Sequence, residues 1–184
     1  MFATPSGKGL VQNHTLLTIR PSLHTYLDAQ YQKFSAQPNS SVLLFNDNEP
    51  FALLIDSSRV AISCGLIALT SNDADLAFVL AHEAAHLTLK HYLLDHPGPD
   101  EELKADEVAL KTLVLLGYPT ENTYKIITEL YQRNEHLNQG YPSTRERLYQ
   151  YWSVRERLSQ RKRPGRLLPS RHLTELKTAC RDQK

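Results

Sequence analysis

The stretch "LAHEAAHLTLKH", residues 80–91, sets His82 and His86 four positions apart with Glu83 beside the first. On an α-helix, positions i and i+4 differ by about 40° in azimuth, so the two imidazoles leave one face a turn apart and can share one ion. Glu83 lies about 100° round from His82, where its carboxylate can address a water on that ion without ligating the ion itself. Ala84 and Ala85 leave room around it. The chemistry that such a pattern serves is zinc-assisted hydrolysis, and the competing reading is a histidine-rich turn of a buried helix.

A catalytic zinc needs a third protein ligand and an open fourth position. "DHPGPD" stops the first helix, because two prolines around a glycine cannot continue it, and the next helix offers Glu101, Glu102, Asp106 and Glu107. A helical hairpin returns a residue about one and a half turns into the second helix to the level of His86, and Glu102 fits that depth. Asp106, one turn further on the same face, could accept a hydrogen bond from the free N–H of a ligating histidine and fix its tautomer. His91 falls five residues beyond His86, which rotates it away from the pair, so it reads as a structural hydrogen-bonding residue. His14, His24, His96, His136 and His172 have no partner spacing and read as surface or loop residues.

These side chains need a scaffold. After Pro21, Ser22 reads as the N-cap of a helix in which Leu23, Tyr26, Leu27, Tyr31 and Phe34 recur near helical spacing. "SVLLF", "FALLI" and "RVAISC" are short apolar runs bounded by turn residues, which predicts a small sheet, antiparallel because the connections are too short for crossover helices. From Ser71 the period becomes helical, with Ser71 and Asn72 as capping side chains and acids in the first turn. Further helices are expected up to Gly117, from about residue 120 to 137 and from 144 to about 162. The domain division read from this is a flexible lead-in over residues 1–20, one domain over 21–162, and a basic tail or short helix over 163–184.

With 184 residues, a hydrophobic fraction of 41% and a charged fraction of 22%, the chain has the composition of one globular domain. No segment approaches the roughly 20 continuous apolar residues of a membrane span, and no signal peptide is recognised at the start, so the expectation is a soluble, by default cytoplasmic, protein, with an exported location open if a leader was removed. A formal net charge of +1 argues against nucleic acid as a partner. The basic excess over residues 145–171 matches no recognition motif and reads as a solvated helix face, leaving a nucleic-acid-binding module as the weaker reading. Cys64 and Cys180 are far apart and form no CxxC, so they read as neither a disulfide framework nor a metal site.

Over residues 48–148 the chain resembles the gluzincin metallopeptidases that include HtpX, Oma-type proteases and the CAAX prenyl endopeptidase. "NEPFALLIDSSRVAISCGLIAL" is similar to that family's "NAFAL…GGxIxVTxGL", and "DLAFVLAHEAAHLTLKH" to its "ELAxVLxHExxHxxxxH", His91 included. Glu102 to Asp106 fit "ExxAD", Leu116 to Tyr118 repeat "LGY", and "YPSTRERL" matches "HPxxxxR" at Pro142 and Arg147. The resemblance implies an α+β fold, mainly helical and zincin-like, with a small, mostly antiparallel sheet before the HExxH helix. It implies one zinc ion on His82, His86 and Glu102, Glu83 as general base, and Asp106, Arg147 and His91 supporting the ligands. It also implies a protein or peptide substrate aligned along an edge strand at Val60, Ala61, Ile62 and Ser63. Asn48, Phe51 and Gly65 are scaffold around the cleft. Two departures stand out: the short link between His86 and Glu102, where the family often carries a long insertion, and Tyr141 in place of histidine. A phenol can donate to a developing oxyanion, so Tyr141 could take over part of that role or be inert. The alternative function is a zincin-fold binding or adaptor protein with little or no catalysis.

Overall fold

A computed structural model describes the protein at residues 14–94, 98–132, 141–158 and 169–182. In chain order the elements are α1 (Pro21–Gln32), β1 (Ser41–Phe45), β2 (Ala52–Leu54), β3 (Arg59–Ser63), α2 (Cys64–Leu69), α3 (Asp73–Thr88), a 3-10 turn (His91–Leu93), α4 (Pro99–Leu115), α5 (Thr123–Gln132), α6 (Thr144–Leu158) and α7 (Arg171–Arg181). The architecture is α+β and mainly helical. α1 opens with Pro21 in its first turn and Arg20 at the N-cap, without a side-chain cap, so Ser22 is not the cap that the sequence indicated.

The sheet corrects the expectation of mostly antiparallel pairing. Its order is β1-β3-β2, with β3 parallel to β1 over Ser41↔Arg59 to Phe45↔Ser63 and antiparallel to β2 over Ala52↔Ile62 to Leu54↔Val60. No crossover helix is needed, because β2 carries the chain back and β3 then enters between its two predecessors. β3 is therefore the central strand. Val60, Ala61, Ile62 and Ser63 have both main-chain edges committed to β1 and β2, so the expected edge-strand role for these residues is overturned.

Side chains alternate across this sheet as strand geometry requires. Val42, Leu44, Val60 and Ile62 face the main core with Leu23, Leu27 and Tyr31 of α1 and Leu76, Leu80 and Ala84 of α3, while Phe45, Phe51, Leu53 and Ala61 make a smaller cluster on the opposite face. Ser63 ends β3 and starts α2: its hydroxyl accepts from the backbone N–H groups of Leu66 and Phe51. Gly65 then passes so close to the β1–β2 connection that an added Cβ would lie 2.2 Å from the carbonyl oxygen of Asn48, which explains why glycine stands there.

Two further expectations change. Leu17 and Ile19 are buried in the main core and Leu16 bridges to Phe45, so the described part of the lead-in is packed; residues 1–13 lie outside the described residues. Cys64 and Cys180 are joined as a disulfide, with Cα atoms 5.3 Å apart, tying α2 to α7. That proximity comes from α7 burying Leu173 and Leu176 in the core, a tertiary fact that cysteine spacing does not contain. The tie is reinforced where Asp73, at the start of α3, accepts from the Ser170 amide at 2.6 Å and from its hydroxyl at 2.7 Å.

A bond closing 116 residues removes enough unfolded-state entropy to be worth about 4–5 kcal/mol in the chain-entropy view. Replacing both cysteines with serine is expected to lower the unfolding free energy in guanidinium by about that amount, and reduced wild-type protein should unfold like the variant. Equal midpoints for oxidised and reduced protein would contradict this.

Candidate metal centre

α3 begins at a capping box: the Asn72 side chain accepts from the amides of Ala74 and Asp75, and the Asp75 carboxylate accepts from Asn72 N–H. This fixes the phase of a helix that is buried all round from Ala74 to His86, so His82, Glu83 and His86 all point into protein. The helix stops at Thr88. Lys90 then takes a left-handed conformation, φ 60°, and turns the chain back on itself.

α4 starts with Pro99 in its first turn, and four of the five acids in its opening turns have identifiable partners. The Glu101 carboxylate accepts from Gly98 N–H at 3.1 Å, capping the helix. Glu107 stays near the surface with Lys111 at 2.7 Å and Arg157 at 3.3 Å. Glu102 and Asp106 fall instead on the buried stripe with Ala105, Ala109, Leu110 and Leu113, which packs against α3 and α6. Those two carboxylates meet the two histidines.

His82 Nε2 and His86 Nε2 are 3.0 Å apart, Glu102 Oε2 lies 3.4 Å from the first, and Glu102 Oε1 lies 3.4 Å from the second. Four ligands about 2.05 Å from a zinc ion have tetrahedral edges of about 3.3 Å, so each of these separations is close to such an edge, with Glu102 approaching the two rings through different oxygens. The other nitrogen of each ring is engaged: His82 Nδ1 faces Asp106 Oδ1 at 2.8 Å, and His86 Nδ1 faces His91 Nδ1 at 2.9 Å. A carboxylate partner requires the proton on His82 Nδ1, which leaves the Nε2 lone pair directed at His86 and Glu102. Converging lone pairs of this kind repel unless a proton or a metal cation joins them. His82, His86 and Glu102 form the group able to hold a metal ion among the described residues.

The titration behaviour of the protein groups alone has the same origin. Burial opposes charge on His82, but Asp106 and Glu102 outweigh it and hold its pKa up to about 10. Burial and then the His82 charge push His86 down to about 3. Glu102 is held at about 2 because, against the cost of burial, His82, His86 and Arg147 favour its ionised form. Burial, with Glu102 adding to it, raises Glu83 to about 7. One Glu83 carboxylate oxygen has no hydrogen-bond partner although it is buried, an arrangement costly enough to call for a reason other than stability.

Arg147 from α6 completes the cluster. It is fully buried, with Nη1 donating to both Asp106 oxygens at 3.0 and 2.9 Å and Nη2 donating to Glu102 Oε2 at 2.5 Å. The sequence placed Arg147 near the ligands only through a family motif, but its position on α6 explains it: Thr144, Arg147, Tyr151 and Val154 form the buried stripe of that helix.

Tyr141 is half-buried three residues before α6. Tyr31 was read as a packing residue of α1, yet burial and the nearby Glu83 carboxylate push its phenol up, and its hydroxyl is buried without a partner. No motif marked it. His14 pairs with Asp47, His24 is half-buried, and His172 is exposed and stacks on Tyr26, while His96 and His136 lie outside the described residues. The basic stretch of residues 145–171 is partly outside them too. Within it, Arg147 is buried in the cluster, Arg155 lies 3.6 Å from Glu121 and Arg157 3.3 Å from Glu107, so these cations face acids of the same domain.

Residues 20–96 match the family model for Peptidase family M48, a span from α1 through the HExxH helix that stops short of Glu102. No curated protein matches the chain.

Removing Arg147 would leave two buried carboxylates against the histidines alone. Arg147→Met is expected to cost about 3–5 kcal/mol in urea unfolding, the range for breaking a buried ion pair from one side. A change within experimental error would show that Glu102 and Asp106 do not depend on the guanidinium.

Proposed function

We propose that the chain, whose residues 20–96 match the model for Peptidase family M48, is a zinc-dependent endopeptidase of the HExxH-plus-glutamate type, hydrolysing peptide bonds of protein or peptide substrates. The observation that carries this reading is the convergence of His82 Nε2, His86 Nε2 and the Glu102 carboxylate at tetrahedral-edge separations. Two histidine nitrogens and one carboxylate, the group among the described residues that could hold an ion, are the donor set of a catalytic rather than a closed structural zinc site.

Zinc held by His82, His86 and Glu102 supplies Lewis acidity toward the scissile carbonyl and toward water. Glu83, next to His82 in the helix and buried like it, takes the proton of the attacking water on its carboxylate and delivers it to the amine that leaves. Asp106 accepts the His82 Nδ1 proton and keeps that ring's Nε2 turned to the ligand group, and Arg147 holds Asp106 and Glu102 in place. Tyr141 stands where the family pattern has histidine, and its phenol is assigned as a donor to the oxygen that gains charge as the carbonyl is attacked.

The replacement of that histidine by Tyr141 is also what favours the second reading, a zincin-fold binding protein that holds metal without turnover. A nucleic-acid role has less support, since Arg147, Arg155 and Arg157 of α6 face acids within the domain. The Cys64–Cys180 bond favours an oxidising compartment over the cytoplasmic default. No helix among the described residues is long and apolar enough to cross a membrane.

Protein purified without added zinc should contain about one ion per chain and cleave casein or a flexible peptide in a chelator-sensitive manner. Glu83→Gln should keep the zinc and lose at least about 100-fold in kcat, whereas His86→Ala should lose the metal. Full activity in purified Glu83→Gln protein would remove the general-base assignment, and stoichiometric zinc without turnover would favour the binding protein. Tyr141→Phe is expected to lower kcat about 10²-fold with little change in KM, and an unchanged kcat would show the phenol to be inert.

A further inference from the structure

Tyr31 and Glu83 each bury a polar atom that has no hydrogen-bond partner among the described residues, and they do so on two helices, α1 and α3, that pack against each other. Leu23, Leu27 and Tyr31 follow one another at four-residue spacing, so the phenol continues the buried stripe of α1. On α3 the core is met by Leu76, Leu80 and Ala84, and Glu83, three residues after Leu80, shares their face. About 100° round from His82, it stands between that face and the one that carries the imidazoles. A tyrosine oxygen sealed in such a stripe is costly where phenylalanine would pack as well, so it calls for an acceptor.

Burial acts most strongly on this phenol, and after it two carboxylates, Glu83 and then Asp56. Asp56 is committed to its own turn: its Oδ1 accepts from the amides of Ser58 and Arg59 and from the Ser58 hydroxyl, and its Oδ2 accepts from the Arg59 guanidinium. Glu83 has a sealed oxygen still open to a donor. We propose that Tyr31 is a positioning residue for Glu83: its O–H donates to that sealed oxygen, directly once the carboxylate turns or across one water, and so aims the other oxygen at the metal-centre side of α3. The proposal rests on the reading of Glu83 as the base of a zinc endopeptidase. The phenol keeps its proton throughout, so its role is orientation and not proton transfer.

The test uses the full chain and Tyr31→Phe, which removes one oxygen and keeps the ring that packs the core. In urea unfolding of the metal-free protein, Tyr31→Phe should raise the unfolding equilibrium constant about 10-fold in the wild-type background. In a Glu83→Leu background, which lacks the acceptor, the same substitution should have no effect or should stabilise. With zinc bound, Tyr31→Phe should retain the wild-type metal content and KM but lose about 10-fold in kcat, as a misaimed group does. A purely structural phenol would not give that split. Wild-type or greater stability in Tyr31→Phe, an equal loss in both backgrounds, or an unchanged kcat would each overturn the proposal. Failure of the enzyme reading looks different: wild-type protein would then show no chelator-sensitive cleavage, while the unfolding measurements would still establish or refute the pairing of Tyr31 with Glu83.

Discussion

Two carboxylates, Glu102 and Asp106, are buried in this protein with a single guanidinium, Arg147, between them, and the deficit of one positive charge governs the arrangement around them. Buried charge is tolerated only when paired, so something cationic must sit on the far side of Glu102 from Arg147. The histidine pair occupies that side. On the protein groups alone the deficit is met by a proton on His82, which is why the pKa of that residue stands so far above its usual value. A divalent ion held by His82, His86 and Glu102 would meet the same demand. The raised basicity of His82 and the gathering of side chains able to hold a metal ion have one electrostatic origin.

That demand reaches outward through the helices. α4 contributes both acids from a face that otherwise buries alanine and leucine, α3 contributes the imidazoles, and α6 contributes the cation from its own buried stripe. Each helix is held by apolar packing, and each also delivers a charged side chain to one point. Loss of register in any of them leaves charge unpaired in the interior, so the cluster selects the packing as much as the packing builds the cluster. The Cys64–Cys180 bond acts at a separate location, fastening α7 to α2 on elements that contribute none of the ligands.

The local parts of this arrangement were legible in the sequence because they depend on helix phase. His82, Glu83 and His86 follow from a helix with a capping box at Asn72, and Glu102 and Asp106 from a hairpin whose loop length fixes depth. What depends on chain reversal was not. The order of the strands was missed because β2 lets β3 enter beside β1 in parallel, and nothing in three short apolar runs records which is central. The left-handed turn at Lys90 was missed because lysine carries no sign of it, so His91 read as rotated away from the residue that it touches. The disulfide was missed because it links residues brought together only by the packing of α7.

The boundary of the family match bears on what makes the site work. Residues 20–96 include the sheet, α1 and α3, and hence both imidazoles and Glu83, but Glu102, Asp106 and Arg147 all lie beyond. A segment ending there would hold two histidines and a glutamate without the carboxylates of Glu102 and Asp106 that meet them. The described ends of the link between α3 and α4, at residues 94 and 98, are only four positions apart, so no room exists for a long insertion to place α4 independently of α3. Closure therefore relies on direct packing of α4 against α3 and of α6 against α4, with Arg147 joining Glu102 to Asp106 at the point where the three helices meet. The same buried contacts that hold the helices together also bring Glu102 to His82 and His86.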